Sequence, residues 1–330
     1  MKAIVCTKYG GPEVLKLQEI DTPMPKDNEI LVKVHAATVT TAGLIGRKGE
    51  PIFTRLFSGL FRPKNNILGM ELAGEIEVMG KNVSSFKIGQ KVFGLTGITL
   101  GANAEYISLP EDAAVITKPN NMDYEESVAL IEGGLTAFNF LKNKAKIQRG
   151  QRVLIYGASG SVGTASIQLA KYYGAEVIGV CSASNLALVK SLGADRVIDY
   201  TKEDFTQNGE TYDIIFDTVG KRSFLDCKNS LELDGIYLDT TGLSTVLHMI
   251  WTSLFSKKKA SFAATYMRTA KVLKQDLASL KILIEKGAIQ YVIDRRYPLE
   301  ETAEAHRYVE TGKKKGNVVI AIDHNLQTEP

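Results

Sequence analysis

The sequence predicts an α/β protein in two parts: a partly closed, β-rich antiparallel domain and a doubly wound parallel sheet. Three observations lead there. The first third holds short Val/Ile-rich runs broken by Gly, Pro, Asn and Asp, with no long helical pattern between them. From residue 152 onward, short apolar runs alternate with amphipathic ones, the rhythm of βαβ units. At the first such junction stands a glycine-rich loop, Tyr156-Gly157-Ala158-Ser159-Gly160-Ser161-Val162-Gly163.

The β-rich part is read from MKAIVCT, EILVKVHAATV, ELAGEIEVMG, QKVFGLT and AEYISLP. The pattern changes at DYEESVALIEGGLTAFNFLKNKAKI, a helical stretch that Asp123 is placed to cap. RVLIY, EVIGVCS, RVIDY, YDIIFDTVG and IYLDTTG follow as strands, with ASFAATYM as the last of the sheet. Between them SVGTASIQLAKYYG, NLALVKSLG and SFLDCKNSLELDG read as helices. The tail gives a helix QDLASLKILIEKGAI, a connector YVIDRRYPLEE, a helix TAEAHRYVETGK and a strand NVVIAI.

Composition narrows the class. A net charge of +3 over 330 residues argues for no nucleic-acid or other polyanion partner. Cys6, Cys181 and Cys227 are scattered, with no CxxC pair, which fits a reducing, cytoplasmic setting. The N-terminus reads as a strand rather than a signal peptide, and no apolar run approaches the ~20 residues of a membrane span.

The glycine loop has a chemical reading. Gly157 stands where the chain must turn sharply out of a strand, Gly160 lets backbone approach a pyrophosphate, and Gly163 lets the helix pack closely on the sheet. Backbone N–H groups of Ser159 to Gly163 then face phosphate, assisted by the helix dipole. A tight turn that binds nothing is the alternative; a strand before, a helix after and a strand next favour a dinucleotide. The second strand ends Cys181-Ser182-Ala183-Ser184-Asn185, without the acid that holds the ribose diol of NAD. Ser182, Ser184 and Asn185 would not repel a 2′-phosphate, and Tyr200 could donate its hydroxyl, so the loop favours NADP(H). No Arg or Lys lies in it, and it could also be an ordinary polar loop.

These residues carry a resemblance. KYGGPEVLKL, GMELAGEI, KIGQKVFGL, GGLTAF, YGASGSVG, SLGADRVIDY, FDTVG and GKKKGNVVI run over nearly the whole chain. Together they resemble the medium-chain dehydrogenase/reductases, in particular the zinc-free quinone oxidoreductase branch. The resemblance implies a GroES-like catalytic domain split in sequence, residues 1–125 and 266–330, around a Rossmann domain at 126–265. It implies nicotinamide in the cleft between them and a homodimer formed through ASFAATYM.

The resemblance also assigns residues. Thr136, Val219, Gly220, Thr241 and Gly242 would lie along the cofactor, with Lys315 and Asn317 closing over it from the returning segment. Thr40 and Thr41 would face substrate; the Asn and Asp that this branch often carries near Thr40 and Gly43 are replaced. The three catalytic zinc ligands of the wider superfamily match Thr40, Met70 and Glu132, a poor Zn²⁺ set. His35, His248, His306 and His324 show no ligand spacing. Without a Lewis acid an ordinary ketone is hard to reduce, whereas conjugation spreads the charge that hydride brings to a quinone or enone. The expected activity is therefore zinc-independent reduction of a small hydrophobic quinone or α,β-unsaturated carbonyl by NADPH. A simple alcohol or aldehyde dehydrogenase and a non-catalytic NADPH sensor are the other readings. Two apolar stretches, residues 51–66 and 245–259, read as lids forming the acceptor pocket. A peripheral membrane contact through Trp251, Phe255 and Lys257–Lys259 is the second reading of the latter.

Overall fold

A computed structural model describes residues 1–240 and 242–324, which fall into two units. One comprises Met1–Ile131, Thr269–Glu285 and the chain from Ile293 on; the other comprises Glu132–Arg268 and Lys286–Val292.

In the second unit the strands are β1 (Arg152–Tyr156), β2 (Glu176–Cys181), β3 (Arg196–Asp199), β4 (Tyr212–Asp217), β5 (Leu231–Asp239) and β6 (Lys259–Phe262). They lie in the order β3-β2-β1-β4-β5-β6, all parallel. This is the doubly wound Rossmann arrangement, whose order reverses beside β1, where ligands bind outside the strand ends. The crossover helices are α1 (Ser161–Tyr172), α2 (Leu186–Ser191), α3 (Phe224–Cys227) and α4 (Leu243–Phe255). Covered strands need apolar side chains on both faces, and Val153, Leu154, Ile155, Val177, Ile178, Ile214, Ile215 and Phe216 are all buried. The helix Ile131–Ala137 runs on into a π-helical turn, Phe138–Lys144, and Phe140 stacks on Phe216 of β4 with ring centroids 5.0 Å apart.

The first unit is β-rich. Its seven-stranded sheet is built around Glu29–Thr38. That strand pairs along one side with Glu71–Met79. Its other side is shared: Tyr106–Pro110 takes the first half and Asn317–Ala321 the second. Lys2–Cys6 and Leu15–Glu19 form a separate hairpin. Ile30, Val32, Val34, Leu72, Ile76, Val92 and Val318 belong to the core of this unit.

The structure corrects several sequence-based boundaries. SFLDCKNSLELDG is not one helix: α3 ends at Cys227, and Leu231 already begins β5, opposite Tyr212. The buried Leu231 outweighs the helical pattern. The final strand of the sheet starts at Lys259 and ends at Phe262, and Thr265–Met267 is a 3₁₀ turn. The expected connector YVIDRRYPLEE contains a strand, Ile293–Pro298, parallel to Asn317–Ala321. Residues 245–259 contain most of α4, the crossover into β6, free of Gly and Pro throughout, so this apolar stretch is helical. In residues 51–66 the side chains of Ile52, Leu56, Leu60 and Phe61 are exposed, and the stretch is anchored by Arg55 over the Tyr9 ring at 4.6 Å.

Candidate functional site

The glycine loop is shaped by two close approaches and one open face. Gly157 has φ +81°, and a Cβ there would stand 2.2 Å from Val219 Cγ2. A Cβ on Gly163 would fall 2.2 Å from the Gly157 carbonyl oxygen. At Gly160 the nearest atom to a Cβ, again the Gly157 oxygen, lies at 3.5 Å, so there the open space lies on the loop's outer side. Gly160 caps α1 with extended backbone, and its carbonyl takes the Thr164 N–H at 2.9 Å. The amides of Val162 and Gly163, in the first helical turn, have no intrahelical acceptor. A bare Gly160 face beside helix-start amides fits a pyrophosphate.

Gly133 was not singled out from the sequence. A Cβ there would lie 2.3 Å from the Ser161 carbonyl oxygen, so the helix Ile131–Ala137 touches the start of α1 through backbone. The Gly-Gly pair in EGGLTA was the available signal. Thr136, one turn on, is buried in this helix.

Two buried aspartates hold the loops after β4 and β5. Asp217 and Asp239 are register partners at the ends of these strands. Asp217 Oδ1 accepts the N–H groups of Val219 and Gly220, both at 2.8 Å, and Oδ2 accepts that of Arg222 at 2.9 Å. The Tyr237 hydroxyl donates to the Arg222 carbonyl at 2.8 Å. Burial pushes the Asp217 carboxyl above its ordinary value, against the pull of the three amides. Thr218 donates to the Tyr156 carbonyl at 2.8 Å, tying this loop to β1. Asp239 Oδ2 accepts the Thr245 hydroxyl at 2.6 Å and would lie 1.9 Å from a Cβ on Gly242. Thr241 lies outside the described residues. The acids of FDTVG and LDTTG thus position Val219, Gly220 and Gly242, a role the motifs alone did not reveal.

The ends of β2 and β3 form one polar corner. Asn185 Nδ2 donates to Ser159 Oγ at 2.9 Å, tying the β2–α2 turn to the glycine loop. The Ser182 and Ser184 hydroxyls are 3.2 Å apart. The Tyr200 N–H donates to the Cys181 carbonyl at 3.2 Å, and its ring is half exposed beside Tyr156, centroids 6.5 Å apart. No acid ends β2, but Asp199 ends β3, opposite Cys181. Its carboxylate is buried, with Oδ1 accepting both the N–H and the hydroxyl of Thr201.

In the first unit, Thr40 and Asn317 come from neighbouring segments, since the Val39 N–H donates to the Val318 carbonyl at 3.0 Å. Thr40 is buried and caps the helix Thr41–Lys48, its hydroxyl oxygen accepting the Gly43 N–H at 3.0 Å. Thr41 is exposed, Asn317 is buried, and the Lys315 N–H donates to Asp294 at 2.9 Å. All three cysteines are free and buried, and burial pushes Cys181 up to about 11 and Cys227 to about 12, unsuited to nucleophilic work. Among the described residues no group of three or more His, Cys, Asp or Glu could hold a metal ion, and no helix is long and apolar enough to cross a membrane.

Comparison with known proteins agrees with this architecture. Residues 26–120 match the family model of the alcohol dehydrogenase GroES-like domain, and residues 192–320 that of a zinc-binding dehydrogenase. A quinone oxidoreductase of Pongo abelii is 32% identical over 321 residues, 94% of each chain. The 2-methylene-furan-3-one reductase of Solanum lycopersicum is 32% identical over 332 residues, 97% of this chain and 79% of that protein. The structure of the quinone oxidoreductase from Coxiella burnetii superposes with a TM-score of 0.86 at 30% identity, covering 98% of this chain and 99% of that one. With the six-stranded Rossmann sheet, the β-rich unit and relatives along nearly its whole length, the chain belongs to the medium-chain dehydrogenase/reductase superfamily, in its quinone oxidoreductase branch.

Proposed function

We propose that this protein reduces a quinone or an α,β-unsaturated carbonyl with NADPH, without a metal ion. The observation that carries the reading is the phosphate cradle: an open Gly160 face beside the first-turn amides of Val162 and Gly163, held by the packing of Gly157 on Val219. NADPH, when bound, supplies the hydride. Val219, Gly220 and Gly242, positioned by Asp217 and Asp239, line the strand ends along it, with Thr136, Ser159 and Ser161 nearby. Ser182, Ser184, Asn185 and Tyr200 face its adenosine end, where no acid ends β2; the buried Asp199 carboxylate at the end of β3 is engaged by Thr201. Lys315 and Asn317 are assigned to the cofactor, and Thr40 and Thr41 to the acceptor.

The donor set at the zinc-ligand positions supports the metal-free reading. Thr40 spends its oxygen as a helix cap, and Met70 and Glu132 offer one thioether and one carboxylate. Charge arriving on the acceptor must then be spread by conjugation and met by hydrogen-bond donors. The Thr40 hydroxyl, whose oxygen is already engaged, keeps its proton for donation, and solvent supplies the proton that completes the reduction. Two relatives support this acceptor class, one named for quinones and one for an enone. The active form is a homodimer paired through the edge strand β6, in a cytoplasmic, reducing setting.

The test is NADPH and NADH oxidation by chelator-treated protein with a soluble quinone, a 2-alkenal and a saturated aldehyde. Turnover with the quinone or the alkenal alone, undiminished by chelation, is expected. A rate that needs added zinc, or that favours the saturated aldehyde, overturns the reading.

A further inference from the structure

We propose that Lys202, on the turn after β3, is the counter-charge for the 2′-phosphate of NADPH and sets the preference over NADH. This rests on the reading that NADPH is the donor. A 2′-phosphate is doubly charged near neutral pH, and polar hydroxyls alone discriminate weakly for it; a cation is needed. The β2–α2 turn, Ser182 to Asn185, holds none.

The fold brings a cation to the same corner from the neighbouring strand. β3 lies directly beside β2, with Asp199 opposite Cys181, and the Tyr200 N–H continues that pairing onto the Cys181 carbonyl. The chain then turns tightly. Asp199 Oδ1 takes the Thr201 N–H at 3.0 Å and its hydroxyl at 2.8 Å, and the Asp199 carbonyl takes the N–H groups of Lys202 and Glu203, both at 3.0 Å. This turn fixes Lys202 two residues past Tyr200 on the exposed side, while the Asp199 carboxylate is buried.

Neighbouring cations are already committed. Arg196 is bonded to Glu203 and Glu210. Arg222 pairs with Asp204 at 3.1 Å and lies over the rings of Tyr156 and Phe205. Lys171 pairs with Asp195, and Lys190 donates to the Asp195 carbonyl. Among the described residues the Lys202 ammonium makes no hydrogen bond or ion pair of this kind, and its charge is one of the causes lowering the Asp199 carboxyl. A ligand phosphate is the partner it lacks. Sequence scrutiny of the β2 end missed Lys202 because it is twenty residues downstream of Ser182 and adjacent only through the sheet.

The test is equilibrium binding of NADPH and of NADH, by nicotinamide fluorescence, to the wild type and to Lys202→Ala, Lys202→Glu and Lys202→Arg. Lys144→Ala, an exposed lysine on the π-helical turn, is the control. Lys202→Ala is expected to weaken NADPH binding roughly tenfold and Lys202→Glu further, with NADH affinity unchanged and Lys202→Arg near wild type. The salt dependence of NADPH binding should flatten in Lys202→Ala. An unchanged NADPH-to-NADH ratio in both Ala and Glu variants overturns the assignment while leaving NADPH as donor. A wild type without any NADPH preference overturns both.

Discussion

Gly157 and Val219 are packed so closely that no side chain can stand between them: a Cβ on Gly157 would lie 2.2 Å from Val219 Cγ2. The loop after β1 therefore sets its bare Gly157 backbone against the Val219 side chain of the loop after β4, at the point where the sheet order reverses. Gly160, three residues on, faces open space instead. Gly157→Ala should strain the fold, costing about 1–3 kcal/mol for its positive φ and the clash. Gly160→Ala should leave stability near wild type and weaken NADPH binding by obstructing the phosphates. Urea unfolding beside a binding titration separates the two, and equal stability losses would show that the loop is not built as described.

Asp217→Asn tests the grip on the loop after β4. The amide can keep an acceptor for Val219 and Gly220 but turns an NH₂ toward the Arg222 N–H, which donates already. A destabilisation of about 2 kcal/mol is expected, together with weaker cofactor binding as the lost Arg222 contact loosens the loop that carries Val219 and Gly220. Unchanged binding in a folded variant would remove Asp217 from the positioning role.

Thr40→Ala should cost about 1 kcal/mol of stability through the lost cap, and Thr40→Ser should restore it. The kinetic comparison is the informative one. If Thr40 also donates to the acceptor, kcat falls in Thr40→Ala and recovers in Thr40→Ser. A variant that loses stability alone marks Thr40 as a cap and nothing more.

His306 gives a pH signature. It is almost fully buried, with Nδ1 in no hydrogen bond; burial, aided by the Arg47 charge and opposed by Glu310, holds it down at about 3. The unfolded chain then binds a proton near pH 6.5 that the folded chain refuses. This contribution to stability is present above that value and is lost as pH falls toward 3, at up to about 1.4 kcal/mol per pH unit. His306→Leu should flatten the wild-type loss between pH 6.5 and 4.5, read from urea midpoints. Parallel slopes in the two proteins would contradict the buried neutral form.

Much of this was legible in the sequence because the signals are local. A glycine triplet between strand and helix, a capping Asp123 and alternating apolar runs are read within a few residues, and the structure shows the loop, the capping box on Asp123 and the sheet. What was missed depends on strand adjacency. Asp199 reaches the β2 end only because β3 lies beside it. Leu231 became strand rather than helix because Tyr212 offers it a partner. Gly133 matters because Ser161, twenty-eight residues away in sequence, touches its backbone. The apolar stretch around Trp251 was read for what it could cover and not for its structure, although its lack of Gly and Pro suited it to the crossover helix α4.

The short piece Lys286–Val292 carries a consequence for how the chain acquires its shape. The Gln168 side chain, on α1, accepts the Gln290 N–H at 2.8 Å and donates to its carbonyl at 3.0 Å, so a late segment is stitched to the helix that opens at Gly160. During synthesis, everything up to Arg268 emerges before its last strap does. A ribosome must travel beyond Val292 before that helix has all its neighbours, and a gene fragment cut at Arg268 would encode a dinucleotide fold with one seam left open.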